Sequence, residues 1–180
     1  IALKKIFTSQ VDWFTVFDGV DISLDERGCL KIFAPKLNAE VLQTNDLVEL
    51  KTEKQFRFLG RLDNVINSGG AKIFPEELER LIKKEIPNEA VFLGIEDEKL
   101  GQKLVLVVED KRYKMQGLTN DDLNPELQNF KSQISNLKFE KSFHKPKEII
   151  FVEQIPRTPN GKVNRSELRQ LVKEMTHGLQ

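Results

Sequence analysis

An α+β fold is predicted by three features of the sequence. Short apolar runs broken by turn residues fill positions 13–58 with no helix-length amphipathic segment among them, the pattern changes at Gly60, and helical and strand-like segments alternate beyond it. The expected architecture is a β-barrel-like antiparallel subdomain over residues 1–62, followed over 63–180 by a small α/β domain whose sheet is flanked by helices.

In the first part, residues 14–17, 20–24 and 29–33 are rich in Phe, Val and Ile and are separated by Asp18-Gly19 and by the turn at 25–28, which reads as strands joined in hairpins. Residues 35–39 read as a loop, 41–50 as another strand region and 55–59 as one more. The first strong helix signal follows Gly60. Pro75 suits the first helical position, Glu76 and Glu77 complement the positive helix start, and Lys83 and Lys84 sit toward its negative end. Leu78, Leu81, Ile82 and Ile86 fall on one face, which predicts a core contact.

Residues 90–95 and 103–108 then read as two strands with the polar segment 96–102 turning between them. A polar loop is expected over 111–124, then a helix carrying Leu127, Phe130, Ile134 and Leu137, then a strand over 148–152. A last helix from about Ser166 shows Leu168, Leu171, Val172 and Met175 at helical spacing, with Ser166 as its N-cap.

Bulk properties exclude several classes of function. A 180-residue chain with 39% hydrophobic content can build real cores. Lysine plus arginine and aspartate plus glutamate both total 28, so no net field points toward nucleic acid or an anionic membrane. Cys29 is the only cysteine, which precludes an internal disulfide and fits a reducing, cytoplasmic setting, and no zinc-type cysteine and histidine cluster exists. Apolar runs such as 104–108 and 149–152 are far shorter than the roughly 20 residues that span a bilayer. The chain starts at Ile1 without the features of a secretion signal, so a piece of a longer polypeptide is expected.

Residues 156–165, Pro-Arg-Thr-Pro-Asn-Gly-Lys-Val-Asn-Arg, present one lysine on a stiffened turn. Pro156 and Pro159 fix their own φ angles, Asn160-Gly161 tolerates positive φ, and Lys162 follows the reversal. Taken alone, a lysine after Asn-Gly is a solvated turn residue. Three other segments change that reading: Leu-Gln-Thr-Asn-Asp-Leu at 42–47, Gly-Arg-Leu-Asp-Asn-Val-Ile-Asn-Ser-Gly-Gly-Ala-Lys-Ile-Phe-Pro-Glu-Glu-Leu-Glu at 60–79, and Phe-His-Lys-Pro at 143–146. Gly69-Gly70 with Lys72 is not a Walker site, because the spacing and the Ser or Thr after the lysine are missing.

In type and order these four segments resemble the C-terminal third of the AMP-forming acyl-CoA synthetases, the adenylating superfamily that also contains luciferases and peptide synthetase adenylation domains. The resemblance implies that residues 13–59 are the closing β-barrel subdomain of a large N-terminal part absent from this chain, and that residues 64–180 are a small mobile domain. It implies a two-step reaction using ATP, Mg²⁺ and coenzyme A. A carboxylic acid attacks the α-phosphate of ATP, the small domain rotates, and a thiol then displaces AMP. The magnesium ligands are expected in the absent part, and no metal ligand is assigned here.

Carried over residue by residue, the resemblance implies that Asp46 and Arg61 hold the nucleotide and that Asp63 is the hinge. It implies that Gly69 and Gly70 line the pantetheine tunnel during the thiol step and that Lys162 is the adenylation lysine. Taken alone, Asp46 is a strand-end aspartate capping a turn, Arg61 and Asp63 are an ordinary pair on a hairpin, and the glycines form a turn before a helix. Two positions depart from the family pattern. Asn45 stands where glycine is usual, with its tolerance of positive φ expected to preserve a turn, and Asn64 stands where a second aspartate is common.

The opening Ile-Ala-Leu-Lys-Lys-Ile at residues 1–6 resembles o-succinylbenzoate:CoA ligases of menaquinone biosynthesis, although other acyl- or aryl-CoA ligases remain open. A peptide synthetase adenylation domain is disfavoured because the chain stops soon after its last helix, and a peroxisomal luciferase because Gly178-Leu179-Gln180 is not the Ser-Lys-Leu address. A noncatalytic α/β binding module is the reading from a different class.

Overall fold

The computed structural model describes residues 1–4, 13–113 and 125–177. Most of the expected 111–124 loop, Lys5 and Ile6 of the opening segment, and Gly178 to Gln180 lie outside the described residues. The chain divides into two compact units, Ile1–Val65 and Ile66–Gln180.

Six antiparallel strands form the first unit: β1 (Ala2–Lys4), β2 (Trp13–Val16), β3 (Asp21–Leu24), β4 (Cys29–Ala34), β5 (Asn38–Thr52) and β6 (Gln55–Arg61), in the order β1-β2-β6-β5-β4-β3. Register shifts interrupt β5 against both of its neighbours, and such bulges bend a long strand and curl its sheet. Val16, Val20, Leu30, Ile32, Ala34 and Val48 pack as the core. The expected loop at 35–39 is shorter than predicted. Asn38 already pairs with Ala34, and the exposed Asn38, Ala39 and Glu40 carry no apolar alternation that marks a strand.

The second unit opens on a hairpin that the sequence reading missed, β7 (Ile66–Ser68) and β8 (Ala71–Ile73), before α1 (Pro75–Ile82). Then come β9 (Ala90–Asp97), β10 (Gly101–Glu109), α2 (Pro125–Ser135), β11 (Glu148–Val152) and α3 (Arg165–His177). Helix α1 ends at Ile82, short of the expected Ile86. Ile86 precedes Pro87, which disfavours helical backbone, yet it stays buried because the chain turns back through the Ile86 N–H to Ile82 carbonyl bond. Leu81, expected in the core stripe, is 52% exposed. The segment expected to turn over 96–102 is mostly strand, with only residues 98–100 reversing the chain.

Strand β10 organises this sheet. It pairs antiparallel with β9 along its length, parallel with β11 over Val105 to Glu109, and at Gly101 with β7. A parallel pair requires a crossover, and α2 lies in the connection between β10 and β11. Alternation of side chains sends Phe92, Leu104, Leu106, Val108, Ile149 and Phe151 toward α1 and α2, whereas Val91, Leu93, Val105, Val107, Ile150 and Val152 face α3. Both faces are covered, so these strands read as continuous apolar runs rather than alternating ones.

Gly94 is needed for space. A Cβ there would lie 2.9 Å from Ile66 Cγ2 and 3.0 Å from the Gln102 amide, whose Oε1 accepts the Asn67 N–H at 2.8 Å. Gly94→Ala is expected to lower unfolding free energy by about 1–3 kcal/mol, measured as a shifted denaturant midpoint at unchanged slope. A parental midpoint would show that this packing yields freely.

Candidate functional site

The lysine segment forms a braced hairpin in the second unit. Arg157 and Val163 make an antiparallel bridge, the Gly161 N–H donates to the Thr158 carbonyl at 2.8 Å, and the Thr158 N–H donates to the Lys162 carbonyl at 2.7 Å. Pro159 and Asn160 occupy the centre of the turn and Gly161, at φ 76°, takes the left-handed position, a type I turn closed by a glycine bulge. Asn160 does not share the positive φ expected of the Asn-Gly pair: among the described residues only glycines have it. Lys162 is exposed, and its ammonium makes no hydrogen bond or ion pair among the described residues.

Several contacts hold the stem. Ile155 is fully buried, with its N–H bonded to Glu109 Oε2 at 2.8 Å. Arg157 donates to the Gly161 carbonyl at 2.9 Å and pairs with Glu89 at 3.2 Å. The Asn164 N–H reaches the Pro156 carbonyl at 2.8 Å. Asn164, not Ser166, caps α3: its Oδ1 accepts the Glu167 N–H at 3.3 Å while its Nδ2 donates to Glu167 Oε2 at 2.9 Å. The spacing of Asn164 and Glu167 is that of a capping box, a legible signal that was read two residues too late.

Arg165, the first residue of α3, meets Glu79 of α1. Its Nη2 lies 2.8 and 2.7 Å from the two carboxylate oxygens, and its Nη1 donates to the Phe92 carbonyl at 2.9 Å. Glu79 Oε1 also accepts the Phe92 N–H at 2.8 Å. Burial pushes the Glu79 carboxyl above its ordinary value, and Arg165 opposes that shift. No local pattern announces this pair, because its members are 86 residues apart.

In the first unit, Asp46, Arg61 and Asp63 come together where the end of β6 lies beside the middle of β5. Asp46 and Arg61 are register partners, and the Arg61 guanidinium lies 3.4 Å from Asp46 Oδ1 and 3.4 Å from Asp63 Oδ2. Asp46 therefore lies within a strand instead of capping its end. Asn45 is also part of β5 without positive φ, so the expected turn there does not form. Its side chain donates to Asp63 at 3.3 Å and accepts from Arg27 at 3.2 Å. Arg27 was not foreseen, since only the fold brings the loop after β3 beside residue 45. Exposed pairs of this kind stabilise little and leave their charges available to a ligand.

Gly69 and Gly70 form the two-residue turn of the β7–β8 hairpin, with φ of 56° and 82°. Positive φ at both central positions defines the turn that joins right-twisted strands, so the fold itself requires glycine here. Lys72 is exposed on β8. Of the Phe-His-Lys-Pro segment, Ser142–His144 forms a 3-10 turn in which the Phe143 and His144 rings meet edge to face at 4.7 Å. Burial, then Lys141, lowers the His144 pKa. Among the described residues no group of three His, Cys, Asp or Glu side chains is placed to hold a metal ion, and no helix is long and apolar enough to cross a membrane.

A curled antiparallel sheet followed along the chain by a second sheet flanked by helices is the architecture of the C-terminal part of adenylate-forming ligases. The homologues of this chain are AMP-forming acyl-CoA synthetases, acid–CoA ligases that it matches over that C-terminal part. Indoleacetate–CoA ligase of Aromatoleum aromaticum is 36% identical over 119 residues, 65% of this chain and 21% of that protein. A 2-succinylbenzoate–CoA ligase of Bacillus cereus is 33% identical over 135 residues, 74% of this chain and 25% of that protein. The chain thus spans a quarter or less of the length of these curated relatives. The structure of o-succinylbenzoate CoA synthetase from Bacillus subtilis with its acyl-adenylate intermediate shares the fold at TM-score 0.62 and 21% identity, over 85% of this chain and 34% of that one. No family model matches the chain.

Proposed function

We propose that this chain is the C-terminal part of an ATP-dependent acid–CoA ligase of the cytoplasm, with residues 1–62 closing the body of the enzyme and residues 63–180 forming a cap that turns about Asp63. In the first step a carboxylate oxygen attacks the α-phosphorus of ATP and the bond to pyrophosphate breaks. In the second the thiol of coenzyme A, losing its proton, attacks the acyl carbon and AMP leaves. The observation that carries this reading is the braced hairpin, whose exposed lysine is a compact charge aimed away from its own core.

Asp46 and Arg61 bind the ribose of ATP, and Gly69-Gly70 approaches pantetheine with bare backbone in the thiol step. Magnesium, held by residues beyond this chain, would offset phosphate charge. The favoured acid is o-succinylbenzoate, supported by the Bacillus cereus relative and by the opening segment. The second reading is another aryl acid, favoured by the relative named indoleacetate–CoA ligase. The test is pyrophosphate release by the intact parent with a panel of acids that includes both. Release with o-succinylbenzoate is expected, and no ATP consumption with any acid would refute ligase activity. The 180-residue chain alone is expected to release none.

A further inference from the structure

We infer that Glu79 and Arg165 are positioning residues for Lys162, an inference that rests on the adenylation role proposed above. Strand β9 pairs only with β10 among the described residues, so the Phe92 N–H and carbonyl directed away from β10 lie on an open strand edge. Glu79 accepts from that N–H at 2.8 Å and one prong of the Arg165 guanidinium fork, Nη1, donates to that carbonyl at 2.9 Å, while the other prong, Nη2, reaches both oxygens of the Glu79 carboxylate. Together they take the place of a neighbouring strand, satisfying both backbone groups with directional bonds.

Arg165 begins α3, and the lysine hairpin is the segment directly before it. The fork therefore sets where the hairpin leaves the sheet. From there, the Asn164 N–H to Pro156 carbonyl bond and the Thr158 to Lys162 bond carry that placement to the residue bearing the ammonium. Among the described residues neither Glu79 nor Arg165 hydrogen-bonds to the hairpin tip, so their effect on chemistry passes through the placement of Lys162. Preorganised charge is sensitive to such placement: an error of about 1 Å costs on the order of 10²-fold in rate.

The test compares variants of the intact parent enzyme in both half-reactions. In Glu79→Leu/Arg165→Met, apolar groups of similar size replace the part-buried pair without leaving a lone charge, but they remove the fork and the partners of the Phe92 N–H and carbonyl, so the thermal midpoint is expected to fall while the chain stays folded. Adenylate formation is expected to fall in kcat by about tenfold or more, with KM for ATP and thioester formation from supplied acyl-adenylate within about threefold of the parent. Arg165→Lys, which keeps charge without the fork, should fall between the two, and it decides the matter should the double variant not fold. Parental adenylation, or equal loss in both half-reactions, overturns the inference. Lys162→Ala is the reference. If it spares adenylation, the proposed role of Lys162 fails; if it alone impairs adenylation, only the positioning inference fails.

Discussion

Lys162→Ala in the intact enzyme is expected to slow adenylate formation by about 10²–10³-fold, the range for removing one preorganised charge or donor from a transition state. Joining a carboxylate to a polyphosphate brings two anions together, and negative charge shifts among the oxygens around phosphorus as the bond to pyrophosphate breaks. An ammonium already in place meets that charge without reorganising, so it stabilises the transition state more than the separated reactants. Lys162 needs little structural duty in return. Its backbone closes the hairpin, whereas its side chain is exposed and unbonded among the described residues, so alanine leaves the fold unchanged. Thioester formation from supplied acyl-adenylate should stay within about threefold of the parent, since in the proposed scheme the rotating cap carries the hairpin away. Equal losses in the two assays would defeat the rotation scheme.

Asp63→Pro is expected to slow the thiol step by about tenfold or more while leaving adenylation within about threefold of the parent. Asp63 lies inside the 3-10 turn Leu62–Asn64, between Arg61 at φ −100°, ψ 140° and Val65 at φ −55°, ψ 130°. A hinge concentrates its change of dihedral angles in a few such residues. Proline fixes its own φ and restricts the residue before it, here Leu62, so the turn loses its second conformation. The substitution also deletes the carboxylate that Asn45 and Arg61 hold, and Asp63→Ala is the control because it removes the carboxylate but retains backbone freedom. The two are separated by half-reaction rates: a slow thiol step in proline alone supports the hinge, and matched rates in both variants would place the pivot elsewhere.

Much of the second unit was readable in the chain. Strand β11 matches the expected span and β9 the expected start because continuous apolar runs between polar turns leave few alternatives, and α1 starts where expected because Pro75 and the acidic first turn mark a helix N-terminus. The β7–β8 hairpin was passed over although Gly69-Gly70 between Ile66 and Ile73 is a two-residue turn signal; its three-residue strands are too short for alternation to register. Leu81 satisfied the helical spacing of α1 yet faces outward, since periodicity defines a stripe and only packing decides how much of it is covered.

Local residue order therefore settled most of the longer strands, the bodies of the helices and the reversal before Lys162, because apolar periodicity marks long elements and proline and glycine limit backbone angles wherever they occur. Tertiary structure alone decided that Glu79 meets Arg165 on the edge of β9 and that Arg27 reaches Asn45 beside Asp63. Those contacts join segments distant in sequence. Their partners are selected by which surfaces the sheets bring face to face, and no run of neighbouring residues encodes that choice.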